Sequence, residues 1–478
     1  MKLTRPRTRA KRVLVNDIHS RLNPTLVDRI VPVDSPETIQ TALRSARRDG
    51  KAMCIAGGHH AMGGQQFGGN AVLLDMRPLN RVLDLDAENG ILEVQAGIEW
   101  PGLVDWLIQN QARGSRQWGI AQKQTGADRL TLGGALAANV HGRGLAMKPI
   151  VGDVEAFDLI DASGETRRCS RSENPELFRL GIGGYGLLGI VTSIRLRLAP
   201  RQKVERIVEI LMMDDLISAF QERIANGFLY GDFQFSINER SEDFLRKGVF
   251  SCYRPVDPAT PVPANQRELS EQDWEKLLYL THTDRQEAFD LYVLHYLATS
   301  GQIYWSDTHQ MSTYLDDYHG VLDRRLGSAD RATEMITEIY VPRQALTGFF
   351  NAVREDFRRR GSELIYGTVR LIEPDLETFL AWARQPYACV IFNLHVVHTV
   401  EGLAHAAATF RRLIDFGIES GGSYYLTYHR YATREQVLAC YPQLPEFLRL
   451  KKTYDPGERF QTDWYRHYMR MFSDDLRD

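Results

Sequence analysis

Residues 54–66 read Cys-Ile-Ala-Gly-Gly-His-His-Ala-Met-Gly-Gly-Gln-Gln, four glycines and two adjacent histidines behind a short apolar run. A loop without Cβ atoms at Gly57, Gly58, Gly63 and Gly64 lets backbone N–H groups converge on an anion, for which a pyrophosphate is the natural occupant. Glycines after a strand also make plain turns. The histidines argue for more, because an imidazole beside such a loop can donate, ligate a metal or act as a nucleophile. A zinc reading is weak, since adjacent histidines without further spaced ligands rarely converge on one ion, and no metal is expected. Two more small-residue runs follow. Residues 125–144 carry Gly126, Gly133, Gly134, Ala137, Ala138, Gly142 and Gly144, which would admit a large flat ligand with Asn139 and His141 as its polar partners. A tightly packed helix start explains that segment equally well. Residues 181–189 repeat the composition. Three such loops suggest one extended ligand, a dinucleotide, although no Gly-x-Gly-x-x-Gly of the Rossmann type is present.

A second set of polar residues lies downstream. In 390–397 alternation places Asn393 and His395 on one strand face. Glu338 (in Thr-Glu-Ile-Tyr-Val-Pro) and Arg370 (in Gly-Thr-Val-Arg-Leu-Ile) are isolated charges in β-like apolar runs, so they either pair with each other or with neighbours, or face a polar substrate.

The elements that must position these groups are legible in part. Residues 28–33 are strand-like, and Ser35-Pro36-Glu37 supplies an N-cap, a first-turn proline and an early carboxylate. The helix that follows presents Ile39, Leu43 and Ala46 on one face and closes at Gly50, before the strand that feeds the first loop. Strands are expected at 72–76, 82–86, 91–96, 154–161 and 190–197, and a helix from Pro101. From about 202 glycine thins, aromatics rise, and prolines at 255, 258, 261 and 263 mark a long surface connection. A new domain begins there.

Composition narrows the class. A chain of 478 residues exceeds one small core, and a prior of roughly 100–200 residues per domain predicts two or three. With 58 Lys+Arg against 61 Asp+Glu the net charge is -3, which gives no field for nucleic acid or anionic lipid. Arg5, Arg7, Arg9, Lys11 and Arg12 lack a following apolar stretch and read as a solvated terminus. No run reaches the ~18 apolar residues of a membrane span. Five scattered cysteines support neither a disulfide framework nor a zinc site. A reduced, cytoplasmic protein is expected.

Taken together, His60-Ala61-Met62 after Gly57-Gly58, then Leu132-Gly133-Gly134-Ala135 through His141-Gly142, then Gly183-Gly184-x-Gly186-Leu187-x-Gly189-Ile190, resemble the FAD-binding domain of the vanillyl-alcohol-oxidase (PCMH-type) flavoproteins. Tyr454-Asp455-Pro456-Gly457-Glu458-Arg459-Phe460 resembles the Asp-Pro-x-x-x-Phe segment with which those chains return to the flavin domain. Within the family the resemblance is nearest to the alditol and aldonolactone oxidases and the decaprenylphosphoryl-ribose oxidase subunit. It implies an α+β fold: a PCMH-type FAD-binding domain of two α+β subdomains (1–201), an α+β cap with an antiparallel sheet over the flavin (202–429), and a C-terminal return (430–478). It implies FAD held by Ile55, Ala56, Gly57, Gly58, His59, His60, Ala61, Met62, Gly63, Gly64 and Gln65 at the pyrophosphate. Gly126, Thr131, Gly133 and Gly134 would line the flavin, Ala138, Asn139, His141 and Gly142 would pass near its ring, Ile190 would meet the adenine, and Tyr425 would touch the flavin. His60 occupies the position of the covalent histidine of many relatives, with His59 as the competing register. A second, cysteinyl link is excluded, because 118–126 contain no cysteine. By the resemblance, Tyr428 stands where the decaprenylphosphoryl-ribose oxidase subunit and the alditol oxidases place an active-site lysine, a departure that puts a phosphoribose substrate in doubt.

Oxidation of an alcohol moves a hydride to flavin N5 while a base takes the hydroxyl proton and a cation meets the developing alkoxide. His395, His429 and Tyr428 are the candidate bases, Arg370 the cation oriented by Glu338, and Asn393 a further polar contact. The expectation is therefore an FAD-dependent oxidoreductase acting on C–OH of an alditol, sugar or aldonolactone, with O2 or another electron acceptor as partner. A flavin-dependent C=C reductase and a noncatalytic FAD-binding subunit are the alternatives.

Overall fold

The computed structural model describes residues 12–111, 116–312, 315 and 318–477. The basic residues Arg5, Arg7, Arg9 and Lys11 lie outside them. Ser35 accepts a hydrogen bond from Thr38 N and starts the helix Pro36–Arg48, whose Ile39, Ala42, Leu43 and Ala46 are buried. Those residues pack on a three-stranded parallel sheet in which Val72–Asp75 lies between Arg29–Pro32 and Met53–Ala56. The first glycine loop leaves this sheet directly from Ala56.

A second unit is a five-stranded antiparallel sheet in the order Thr166–Ser170, Val154–Ile160, Ile190–Arg197, Ile91–Gln95, Val82–Asp86. Against it lies the short helix Leu132–Ala138. Thr131 caps its start by accepting from Gly134 N, and Asn139 ends it in the left-handed conformation at φ 50°. The second glycine-rich segment is thus a helix start and also one wall of the cavity described below.

The third unit is an eight-stranded antiparallel sheet, built from strands between Lys203 and Tyr424 in the order Ile303–Trp305, Lys203–Met212, Lys247–Pro255, Tyr230–Phe235, Leu364–Ile372, Tyr387–Val397, Ala332–Pro342, Ser423–Tyr424. The helix Val400–Glu419 packs against Ala332–Pro342 and Tyr387–Val397 on the outer face. Helices Glu271–Thr283 and Arg285–Ala298 lie by the inner face.

The chain then returns to the parallel sheet. Met53 N donates to Arg459 O (2.7 Å) and Gln461 N to Met53 O (2.9 Å), so Phe460 bridges the free edge of Met53–Ala56 in parallel. Asp455 explains the motif that ends there: its carboxylate accepts from Arg459 N and, inside the core, from Phe460 N and Lys451 Nζ. The five cysteines are free and buried. Among the described residues no helix is long and apolar enough to cross a membrane.

Candidate active site

A cavity of about 960 Å³ separates the glycine loops from the inner face of the large sheet. One side is lined by Ile55, Gly57, Gly58, His59, His60, Ala61, Met62 and Gln65, by Gly126, Thr131, Gly133, Gly134, Ala138 and His141, and by Tyr185, Gly186 and Gly189. Three segments far apart in sequence therefore share one wall. Close packing is what requires glycine at its centre: a Cβ on Gly57 would sit 2.2 Å from Thr131 Oγ1, and one on Gly58 2.3 Å from the Arg129 carbonyl.

Other residues expected at a cofactor stand behind this wall. Ala56 is buried in its strand, Gly63 N donates to Thr427 O, Gly64 packs on Asn23, and Ile190 lies in the core under the helix Pro36–Arg48. Gly142 N donates to Gln122 Oε1. Asn139 is the clearest correction: its amide donates to Asp375 Oδ2 at 2.8 Å and accepts from Val151 N, because the left-handed cap turns the side chain away from the cavity.

The two histidines of the first loop differ. His59 adopts φ 60° and sets its ring edge-on to Phe67. His60 is 8% exposed, and its Nδ1 lies 2.8 Å from His19 Nε2. Burial, with His19 beside it, lowers its pKa to about 3, so the ring is neutral. Among the described residues its Nε2 is buried without a hydrogen-bond partner, as are Gln65 Oε1 and Gln66 Oε1 on the same side. Buried polar atoms left unpaired are costly, and here they line a cradle emptied of side chains. The wall fits a large ligand carrying donors and acceptors, as FAD does.

The opposite side belongs to the sheet. Pairing registers place Glu334, Ile336 and Glu338 on one strand beside Asn393 and Ile391 on the next and Tyr366 and Arg370 on the third, and all seven line the cavity. Glu338 is the hub. It accepts from Tyr428 at Oε1 (2.7 Å) and from Tyr340 at Oε2 (2.9 Å), and His141 Nε2 lies 2.9 Å from Oε2. His141 Nδ1 faces the Gly142 carbonyl, so both ring nitrogens are engaged. Burial alone would raise the Glu338 pKa; His141, the Tyr428 hydroxyl and the nearby Arg370 reverse this and bring it to about 2. The Tyr428 hydroxyl moves the other way, well above its usual value, through burial and the Glu338 charge. Among the described residues Arg370 Nε is buried without a hydrogen-bond partner. Tyr425 donates to the Ala138 carbonyl, tying the end of the cap strand to the second glycine segment.

His141, Glu338 and Cys389 also bring three potential ligand atoms within 4.8 Å. Burial holds the Cys389 thiol well above its ordinary pKa, and Glu338 Oε2 already serves His141 and Tyr340. The trio is satisfied as a hydrogen-bonded cluster.

Two of the expected bases are not on the cavity. His429 lies on the sheet's outer side, stacked on Phe410 (4.4 Å between ring centres) and bonded to Thr337 Oγ1 at 3.1 Å, with its pKa lowered to about 3 by burial. His395 shares the inner face with Asn393, but its ring packs edge-on against His282 at 4.7 Å beyond the end of the cavity. Glu338 does not contact Arg370 by a direct hydrogen bond; its partners are His141, Tyr340, Tyr428 and the Cys389 thiol. Sequence reasoning passed over Glu334, four residues before Glu338 in the same alternating run. It also left His141 unpaired, since its partner lies 197 residues away.

Residues 27–170 match a family model described as an FAD binding domain. Decaprenylphosphoryl-beta-D-ribose oxidase of Mycolicibacterium smegmatis is 21% identical over 463 residues, covering 93% of this chain and 95% of the relative. L-gulono-1,4-lactone dehydrogenase of Mycobacterium tuberculosis is 24% identical over 445 residues, 92% of this chain and 95% of that one. L-gulonolactone oxidase of Bos taurus is 28% identical over 168 residues, 35% of this chain and 36% of the relative.

Proposed function

Starting from a chain that is an FAD-linked oxidoreductase with a PCMH-type FAD-binding domain, similar to the aldonolactone oxidases, we propose that it oxidises a C–OH group of a polar, sugar-like substrate. The observation that carries this reading is the Tyr428–Glu338–His141 network, which with Arg370 lines the same cavity as the three glycine loops. The names of two relatives, a ribose-derivative oxidase and a gulonolactone dehydrogenase, support a carbohydrate-derived substrate. In this reading residues 1–201 and 430–478 hold the cofactor and 202–429 bind the substrate.

Bound FAD supplies the hydride acceptor. The rest is done by side chains. Gly57 and Gly58 give the cofactor backbone contact, and His60, neutral and braced at Nδ1 by His19, offers Nε2 as the site of a single covalent attachment. Arg370 meets the negative charge that develops on the substrate oxygen. Tyr428 cannot itself act as an anionic base, because its pKa is raised; it takes the substrate proton while giving its own to Glu338 Oε1. The low pKa of Glu338 keeps that carboxylate ionised across the neutral range, where it accepts the Tyr428 hydrogen bond and orients that hydroxyl. His141 holds that carboxylate in place from the opposite wall.

The test is anaerobic mixing of the purified yellow protein with D-sorbitol, xylitol or L-gulono-1,4-lactone. Bleaching of the flavin absorbance is the expected result, and failure of every polyol and lactone to bleach it would overturn the reading. Readmitting air, or adding a dye instead, then identifies the electron acceptor.

A further inference from the structure

The end of the cavity beyond Glu338 carries polar atoms that the relay does not use. Glu334 is 5% exposed, and its Oε2 accepts from Tyr318 Oη and from Asn393 Nδ2 (3.5 Å). Among the described residues its Oε1 has no hydrogen-bond partner, nor has Asn393 Oδ1, with the amide assigned so that its nitrogen faces Glu334. Both side chains line the cavity. Two buried acceptors side by side, each with an unused lone pair, call for donors from whatever fills that space.

We propose that Glu334 and Asn393 form a distal subsite that takes the far hydroxyl groups of an extended polyol or sugar whose oxidised carbon lies at the Tyr428–Glu338 end. This rests on the reading of the site as a C–OH oxidase. The spacing fits: Asn393 pairs across the ladder with Ile336, one row of the sheet from Glu338, which is about 7 Å at the usual strand rise. A five- or six-carbon chain reaches that far, and a two- or three-carbon alcohol does not. Hydroxyl groups suit the carboxyl better than a cation does. Glu334 makes no ion pair among the described residues, and burial raises its pKa to about 7, toward the neutral form that exchanges hydrogen bonds with hydroxyls.

The experiment titrates the holoenzyme, kept anaerobic, with D-sorbitol and with glycerol, following the shift of the flavin spectrum on binding and the rate of its bleaching at saturation. Glu334→Gln and Asn393→Leu are each expected to weaken sorbitol binding tenfold or more, while glycerol binding changes less than twofold and flavin content is unchanged. Equal losses for both probes, no loss for either, or loss of flavin from the variants would overturn the proposal. So would failure of sorbitol to perturb the flavin of the unmodified protein at all. If sorbitol binds with the expected variant pattern but bleaches nothing, the oxidase reading fails and the subsite stands. If sorbitol bleaches the flavin and the variants bind it normally, the oxidase reading stands and the subsite fails.

Discussion

The imidazole of His141 and the carboxylate of Glu338 meet at 2.9 Å across the cavity, one from the glycine-rich segment after Leu132–Ala138 and the other from the inner face of the large sheet. The bond joins the glycine-lined wall to the wall formed by the large sheet. Glu338 also fixes Tyr428, so its charge matters more than its shape. Glu338→Gln keeps the volume and removes the proton acceptor. We expect flavin content to hold while the rate of anaerobic bleaching by a good polyol substrate falls about 100-fold or more, the usual scale for a lost general base. Stopped-flow spectroscopy reads both.

His60 is expected to carry the flavin. After acid precipitation the yellow colour should stay in the pellet for the unmodified protein and pass to the supernatant for His60→Ala. Colour in the supernatant of the unmodified protein would refute the attachment. His19→Ala, which removes the partner of His60 Nδ1, should leave a mixture of bound and released colour.

His429 gives a pH signature of the fold that is separate from catalysis. Its folded pKa of about 3 lies below the ordinary 6.5, so its contribution to stability is present above pH 6.5 and is lost as pH falls toward 3. Between pH 6.5 and 4.5 this is about 2 kcal/mol, because the unfolded imidazole is already half protonated at 6.5. His429→Phe retains the stacking on Phe410 and Tyr431, leaves Thr337 Oγ1 without its ring partner, and cannot titrate. Its melting temperature should lie below that of the unmodified protein at pH 7 and close on it, or pass it, at pH 4.5.

Gly57→Ala tests the contact between the first two loops. The added methyl meets Thr131 Oγ1, the cap of Leu132–Ala138, so the cap or the loop must move. A loss of about 1–3 kcal/mol is expected from overpacking, together with weaker retention of FAD. Thermal melts with and without added FAD separate the two effects.

Much of the frame was legible because its signals are local. The Ser35 cap, the Ile39/Leu43/Ala46 face and the strands at 72–75, 91–95 and 190–197 need only neighbours in sequence. Alternation correctly put Glu338, Asn393 and Arg370 in β-strands, and the pairing registers bring them to one face. Which end of that face lies over the cavity is decided by non-local packing. His395 was lost to His282 from a separate helix, and His429 to the outer side by the helix Val400–Glu419, which carries Phe410. Asn139 reads as a ligand contact until its left-handed backbone is known, since one dihedral turns its amide from the cavity to Asp375.

The bridge from Phe460 to Met53 sets an order on how the protein can be made. The strand that launches the first glycine loop has one edge covered by Val72–Asp75 and the other by residues some 400 positions later. During synthesis from the N-terminus, that second edge stays bare while the whole large sheet is translated and folds. The loop it supports is braced again by Asp463 and Arg466, which bond Gly69 from the same late segment. The strand under the first glycine loop is therefore bordered on both sides only once Phe460 has joined it, and truncation before Asp455 would leave that edge bare.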